Sequence, residues 1–330
     1  MKTSIKKVLI ICMIILSAVV VIAVSIKRNN AGIIATTINE KAQTKPDKSY
    51  TDLNGKKYKR KSYVKAILAL GIDSNVDMHY IQDAGSGGQA DSIGLIAWDT
   101  VNNRLDMIII PRDTMAQIPV TDVSGNIMGK TLQHITMAYA FGDGNEISAD
   151  FMKESVSELF EGLFKDKYIA INTSAVKSIN DAIGGVEVII PYEGMEKADT
   201  AFVKDKKVLL KGDQAEKFLR YRDTDRDFSA MTRIEAHKVY VEAYQKKLTQ
   251  FKGDSLIENI LKEISPYYYT DMQKDMLLKL AACAMTDKDF NGDRMYVLEG
   301  ENKKTEIYDE FYMDRDKVMN KIIDLFYTAE

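Results

Sequence analysis

The sequence is nearly devoid of cysteine. Cys12 and Cys283 are the only two, and the first lies inside an apolar N-terminal run, so the chain carries no disulfide framework and no zinc-ligand spacing. A basic excess is also missing. Lysine and arginine number 45 against 48 aspartates and glutamates, a formal net charge of −3, which leaves no footprint for a nucleic-acid partner. Histidine is scarce: His79 reads as a loop residue and His134 as a surface or capping residue near a helix start, so neither competes as a catalyst. Internal repeats are absent. The 45% of apolar residues in 330 can still supply a proper core, for one large domain or two modest ones.

One long charge-free run exists, residues 8–26. As a helix it measures roughly 28 Å, enough to cross a hydrocarbon core. Lys2, Lys6 and Lys7 precede it and Lys27 and Arg28 follow, so the positive-inside rule places the N-terminus in the cytoplasm and the large remainder outside. A cleaved signal peptide competes with this reading, but the run exceeds a usual signal core and no small-x-small site follows it. The expected organisation is a cytoplasmic N-terminus at 1–7, a single-pass transmembrane anchor at 8–26, an extracellular linker at 27–60 and a folded domain at 61–330. The linker is polar, and Lys56, Lys57, Lys59, Arg60 and Lys61 can rest on anionic membrane lipid or simply be solvated.

The stretch 90–112, ADSIGLIAWDTVNNRLDMIIIPR, organises the domain. Two β-type runs flank a DTVNN turn and predict a hairpin. Asp91 opens the first strand, and Pro111 ends the second because it has no N–H for a ladder, leaving Arg112 and Asp113 where the chain exits. Down one strand and up the next returns the chain to one sheet end, so Asp91 and Arg112 meet there. A carboxylate able to hold a divalent cation beside a guanidinium able to fork onto phosphate suits phosphate chemistry, and equally suits a strand-end salt bridge.

Residues 63–72 form an apolar run fit for a central strand, ending at Asp73, a second strand-end acid. The following loop carries GSGG at 85–88, whose backbone can approach a ligand or serve as a mobile turn. Helical spacing is expected over 131–141 and 147–164, a strand at 168–172, a helix to 183 closed by Gly184 and Gly185, and a strand at 186–190. Arg220 and Arg222 end a short helix opened by Asp213, and Arg233 and His237 share a face one turn apart on the long helix that follows. Three arginines around one loop beside a helix N-terminus make either an anion site or a set of surface ion pairs with Asp223, Asp225 and Asp227. Trp98 and Cys283 read as core residues. Strands alternating with amphipathic helices, together with hairpin connections, predict an α/β fold: an α/β/α sandwich around a mixed sheet.

Taken together, LALGID (68–73), ADSI (90–93), IIIPRDT (108–114), AYAFGDG (138–144), YIAINTSAVKSINDAIGGVEVIIP (168–191) and LKGDQAEKFLRYRDTD (210–225) resemble the LytR-CpsA-Psr family, membrane-anchored enzymes of Gram-positive cell-wall assembly. The resemblance implies a phosphotransferase that moves a teichoic acid or capsular polysaccharide from a polyprenyl-pyrophosphate carrier to peptidoglycan through a phosphodiester bond. It implies Mg2+ held by Asp73 and Asp91, and pyrophosphate held by Arg112, Arg220, Arg222, Arg233 and His237. Asp73, Asp91, Arg112 and Arg222 are then the catalytic set. The implied partners are the lipid-linked glycan, peptidoglycan and membrane lipid, with no obligate protein partner. Three positions depart from the family pattern: Gln89 and Ala236 stand where arginine is usual, and His237 where glutamine is usual. The departures keep two alternatives open, a non-catalytic module binding polyprenyl-linked precursors and a polyprenyl-pyrophosphate pyrophosphatase.

Overall fold

Valine, isoleucine and leucine crowd the middle of the chain's first strands, and the tertiary structure is built around them. The computed structural model describes residues 50–53, 55–162, 167–223, 227–251 and 262–330. In chain order, β1 (Tyr50–Leu53), β2 (Lys56–Arg60), β3 (Val64–Ile72), β4 (Ala90–Asp99), β5 (Arg104–Ile110), β6 (Met115–Thr121) and β7 (Ile127–His134) lead to α1 (Met137–Ala140) and α2 (Glu146–Leu159). Then come β8 (Lys167–Asn172), α3 (Ala175–Ala182), β9 (Val186–Ile189), β10 (Lys207–Leu210), α4 (Asp213–Arg220) and α5 (Ser229–Leu248). The C-terminal part supplies β11 (Tyr268–Thr270), α6 (Lys274–Thr286), β12 (Met295–Val297), β13 (Gly300–Lys304), β14 (Asp309–Met313), α7 (Arg315–Phe326) and β15 (Tyr327–Ala329).

The central sheet runs β11-β8-β3-β4-β5-β12. Two pairs, β3 with β8 and β5 with β12, are parallel and the rest antiparallel, so the sheet is mixed as expected. β3 and β4 are buried on both faces, which explains their unbroken apolar runs. Alternation then sorts the side chains. Ile67, Ala69, Ile96, Trp98, Met107 and Ile169 pack under α3, α4, α5 and α6, whereas Leu68, Leu70, Ile93, Leu95, Ile108 and Tyr168 pack under α1, α2 and α7. The result is a layered α/β/α arrangement. Trp98 and Cys283 are buried in the first of these cores, as the sequence suggested.

Two features depart from the sequence reading, and a third goes beyond it. Residues 127–134, placed within or beside a predicted helix, form β7 in a hairpin with β6, and the helix shrinks to Met137–Ala140. Nearly every side chain of β7 is exposed, so the strand has no apolar face for a periodicity argument to detect. Residues 50–60, read as linker, are a hairpin whose second strand pairs with β15, Tyr327 opposite Arg60. The Arg60 guanidinium lies 4.6 Å from the centre of the Phe326 ring, so a residue of the basic cluster is bound into the fold by a partner at the other end of the chain. β9 leaves the central sheet and pairs with β10 alone. The expected anchor at 8–26 lies outside the described residues, and among the described ones no helix is long and apolar enough to cross a membrane.

The sheet order decides where the acids go. β3 ends at Ile72 and β4 begins at Ala90, so in this antiparallel pair Asp73 and Asp91 share one sheet end. β5 returns antiparallel to β4, delivering Pro111 and Arg112 to the same end. The register between β3 and β4 steps from Gly71 opposite Ser92 to Ile72 opposite Ala90, which skips Asp91. An extra residue of this kind bends its strand and re-aims its side chain.

Candidate active site

Arg112 is the hub of this sheet end. Its Nη1 lies 2.5 Å from Asp91 Oδ1, its Nη2 donates to Gln89 Oε1 at 2.9 Å, and its Nε stands 3.2 Å from Asp113 Oδ1. The turn that presents it is locked, because the Pro111 carbonyl accepts from both the Thr114 N–H (3.0 Å) and the Thr114 hydroxyl (2.6 Å). The Thr136 hydroxyl donates to Asp91 Oδ1 at 3.0 Å. Asp91 Oδ2 is buried and has no hydrogen-bond partner among the described residues.

The loop between α4 and α5 brings the other cations. Arg220, the last residue of α4, places Nη2 3.6 Å from Asp73 Oδ1 while its Nη1 donates to Glu216 Oε1 at 2.5 Å. Arg222 Nε donates to Ser229 Oγ at 2.6 Å, and its Nη2 lies 3.8 Å from Asp309 Oδ2. Arg233 is 1% exposed, yet its Nε and Nη2 have no hydrogen-bond partner among the described residues. Burial lowers its affinity for a proton well below the usual guanidinium value; Asp91 opposes that pull, and Arg112 and Arg222 add to it. Asp73, Asp91, Arg112, Arg220, Arg222 and Arg233 therefore converge on one sheet end, joined by contact or by mutual field.

His237 takes another place from the one expected of it. It is 3% exposed, and its Nε2 lies 3.0 Å from the Leu219 carbonyl, one of the last carbonyls of α4. Burial, reinforced by the charge of Arg233, pushes the imidazole down to about 3, so near pH 7 the ring is neutral and Nε2–H donates. A neutral ring turned to a carbonyl fixes the helix end that carries Arg220; it is not a cation for pyrophosphate. The GSGG loop also finds a third role beyond the two considered. Gly88 has φ +85°, and a Cβ there would lie 2.8 Å from the Asp73 carbonyl oxygen. Gly88 lets the loop pack against the backbone of Asp73, and Gly87 lets it pack against Gly144. His79 remains an exposed loop residue paired with Asp77, and His134 meets Tyr308 edge-on.

With this geometry in place, comparison with known proteins is decisive. A model of the LytR_cpsA_psr family matches residues 26–322. The chain belongs to the LytR_cpsA_psr family. It is similar to the polyisoprenyl-teichoic acid–peptidoglycan teichoic acid transferase TagU of Bacillus cereus, 28% identical over 222 residues that cover 67% of this chain and 64% of the relative. TagU of Bacillus mycoides is 30% identical over 240 residues, covering 72% and 70% respectively. The crystal structure of B. subtilis TagV superposes with a TM-score of 0.58 at 22% identity, over 80% of this chain and 98% of that one, which establishes the shared fold.

Within the LytR_cpsA_psr frame the three departures acquire physical content. Gln89 adds no charge but orients Arg112 through its carbonyl. Ala236 is wholly buried in the core beneath α5, where a second arginine would have to displace packed apolar groups. Sequence reasoning missed Thr136, Ser229 and Asp309, each of which touches a site residue. None carries a local signal, since a hydroxyl or carboxylate in a loop or at the start of a strand or helix looks the same with or without a distant partner.

Burial raises the Asp91 carboxyl to about 7, against the opposing pull of Arg112 and Arg233, with Asp73 adding to the rise. A folded-state value above the unfolded one means that the folded protein binds the extra proton. This contribution to stability is complete below about pH 4 and is lost as pH rises through about 7. Without divalent cation, denaturant unfolding should show stability falling across that window by at most about 1.4 kcal/mol per pH unit. Asp91→Asn, an isostere of the protonated acid, should flatten the profile; an unchanged slope would assign the titration elsewhere.

Proposed function

We propose that the chain is a membrane-tethered phosphotransferase that moves a glycopolymer of teichoic acid or capsular type from a polyprenyl-pyrophosphate carrier to peptidoglycan. The observation that carries this reading is the buried guanidinium of Arg233, two of whose donors lack partners among the described residues, within the field of the Asp91 carboxylate, whose Oδ2 lacks one among them too. Leaving such groups buried is costly unless a ligand completes them. A diphosphate supplies acceptors for the arginine. Arg112, Arg220, Arg222 and Arg233 would neutralise the non-bridging oxygens and the charge that develops on the departing polyprenyl phosphate. A peptidoglycan sugar hydroxyl would attack the phosphorus attached to the glycan, the bond to the bridging oxygen would break, and the hydroxyl proton would pass to Asp73 or Asp91.

The residues present fit a magnesium ion, which is commonly held by one or two carboxylates with substrate phosphate oxygens completing its shell. Asp91, through its unpartnered Oδ2, and Asp73 are the residues that would hold it. Among the described residues no cluster of three or more His, Cys, Asp or Glu forms an all-protein cage. When bound, the ion would neutralise phosphate charge. The transmembrane anchor at 8–26, with the folded part outside the cell, belongs to the same proposal and places the site on the side where peptidoglycan lies.

Gln89 and Ala236, standing where arginine is usual, give this chain two fewer cations than the family pattern, which favours binding without turnover as the second reading. Incubating the purified chain with Mg2+ and a polyprenyl-pyrophosphate glycan, with and without a peptidoglycan oligomer, separates the possibilities. A glycan–peptidoglycan phosphodiester only when acceptor is present is the expected result. Phosphate-terminated glycan formed without acceptor would indicate a pyrophosphatase, and saturable binding with no product a precursor-holding module.

A further inference from the structure

The β13–β14 hairpin touches both halves of the arginine cluster. On one side the Phe311 N–H donates to the Asp113 carbonyl at 2.9 Å, and Phe311 bridges to Thr114, tying β14 to the turn that presents Arg112. On the other side the pair that closes the hairpin, Lys304 opposite Asp309, grips two consecutive residues at the start of α5. Lys304 Nζ binds the Asp227 carboxylate, and Asp309 Oδ2 accepts the Phe228 N–H at 3.0 Å. Phe228 has φ +53°, a left-handed conformation that is unfavourable for a residue with a side chain and persists only where its surroundings impose it. The next residue, Ser229, accepts from Arg222 Nε, and Arg222 Nη2 faces Asp309 itself at 3.8 Å. The hairpin turn is stiffened by Thr305, whose N–H donates to the Tyr308 carbonyl at 2.9 Å and whose Oγ1 accepts the Tyr308 N–H at 3.0 Å.

We infer that Asp309, with Lys304, is a positioning residue: it holds the first turn of α5 in its left-handed entry and thereby aims Arg222 at the diphosphate. The effect on ligand rests on the function proposed above; the effect on backbone does not. A surface acid that merely pairs with a nearby arginine would leave the backbone of residues 227–229 unaffected. An acid that accepts a strained N–H controls that backbone directly.

Two measurements test this, and thermal unfolding of each variant establishes that it is folded. In peptide-resolved hydrogen exchange without ligand, Asp309→Ala should lose protection over residues 227–233, whereas Asp309→Asn, which keeps an acceptor oxygen, should retain most of it. Equal protection in all three proteins overturns the inference. In titrations with farnesyl pyrophosphate and Mg2+, Asp309→Ala should bind about tenfold more weakly than wild type and Asp309→Asn should recover much of that loss. In an Arg222→Ala background Asp309→Ala should cause no further loss, because its influence runs through Arg222. An additive loss in the double variant would make Asp309 a general structural residue and overturn the assignment. If wild type fails to bind farnesyl pyrophosphate while the exchange difference stands, the functional reading has failed and the clamp has not.

Discussion

Replacing Arg233 with methionine is expected to make the folded chain more stable while it loses its grip on the diphosphate. Arg233 is 1% exposed with two donors that have no partner among the described residues, and each unsatisfied buried polar group costs on the order of 1–3 kcal/mol. Methionine keeps much of the length and fills the space with apolar atoms, so the cost of burying those donors is removed without leaving a cavity. In a domain of this size each kcal/mol moves the midpoint of thermal unfolding by roughly 2–4 °C. Asp91 would lose one compensating charge, but a carboxyl already raised to about 7 can take up a proton, so that loss is shallow. Removing a charged donor from a dry anion site costs about 2.7–4 kcal/mol of transition-state stabilisation, or 10^2–10^3 in turnover. The measurement is a thermal melt beside a transfer assay. A lower midpoint with undiminished turnover would make Arg233 a structural residue with no part in holding the ligand.

Arg112→Ala should harm both properties together. This guanidinium answers Asp91, Gln89 and Asp113 at once, and its removal leaves Asp91 with the Thr136 hydroxyl as its remaining direct partner. Breaking a buried pair by removing one member costs about 3–5 kcal/mol. Here the loss should grow with pH, since below about 7 Asp91 can be protonated and needs no counter-charge. Turnover should fall at least 10^2-fold, and Arg112→Lys should recover little, because a compact ammonium cannot fork across Asp91 and Gln89 as the planar guanidinium does. Turnover within tenfold of wild type for Arg112→Ala would leave the pair as a strand-end brace, the plainer of the two readings that its sequence position allows.

The paired fates of Arg233 and His237 show how far a helical pattern reaches. Their spacing placed both on one face of α5, and both are buried on that face. The same spacing could not say that one side chain would end with unsatisfied donors and the other with a carbonyl. That difference lies in what α4 presents across the gap: the Leu219 carbonyl stands within reach of His237 and not of the arginine's free donors. The glycines at 87 and 88 carry the same lesson, since the neighbour each one must admit, the 143–144 turn and the Asp73 carbonyl, is set by packing.

Local residue patterns were enough for the β4–β5 hairpin, the buried central strand β3, the strand-end places of Asp73, Asp91 and Arg112, and the motifs that mark the family. Each depends on a period of two or 3.6, a proline, or a run of residue types, which are local properties. Long-range packing set the skipped register at Asp91, the pairing of β2 with β15, the exposed strand β7, the neutral His237, and the reach of Asp309 from the C-terminal hairpin to the start of α5. Those outcomes depend on burial and on partners far along the chain. A residue's charge and conformation follow from the groups packed around it, and local patterning does not say which groups they will be.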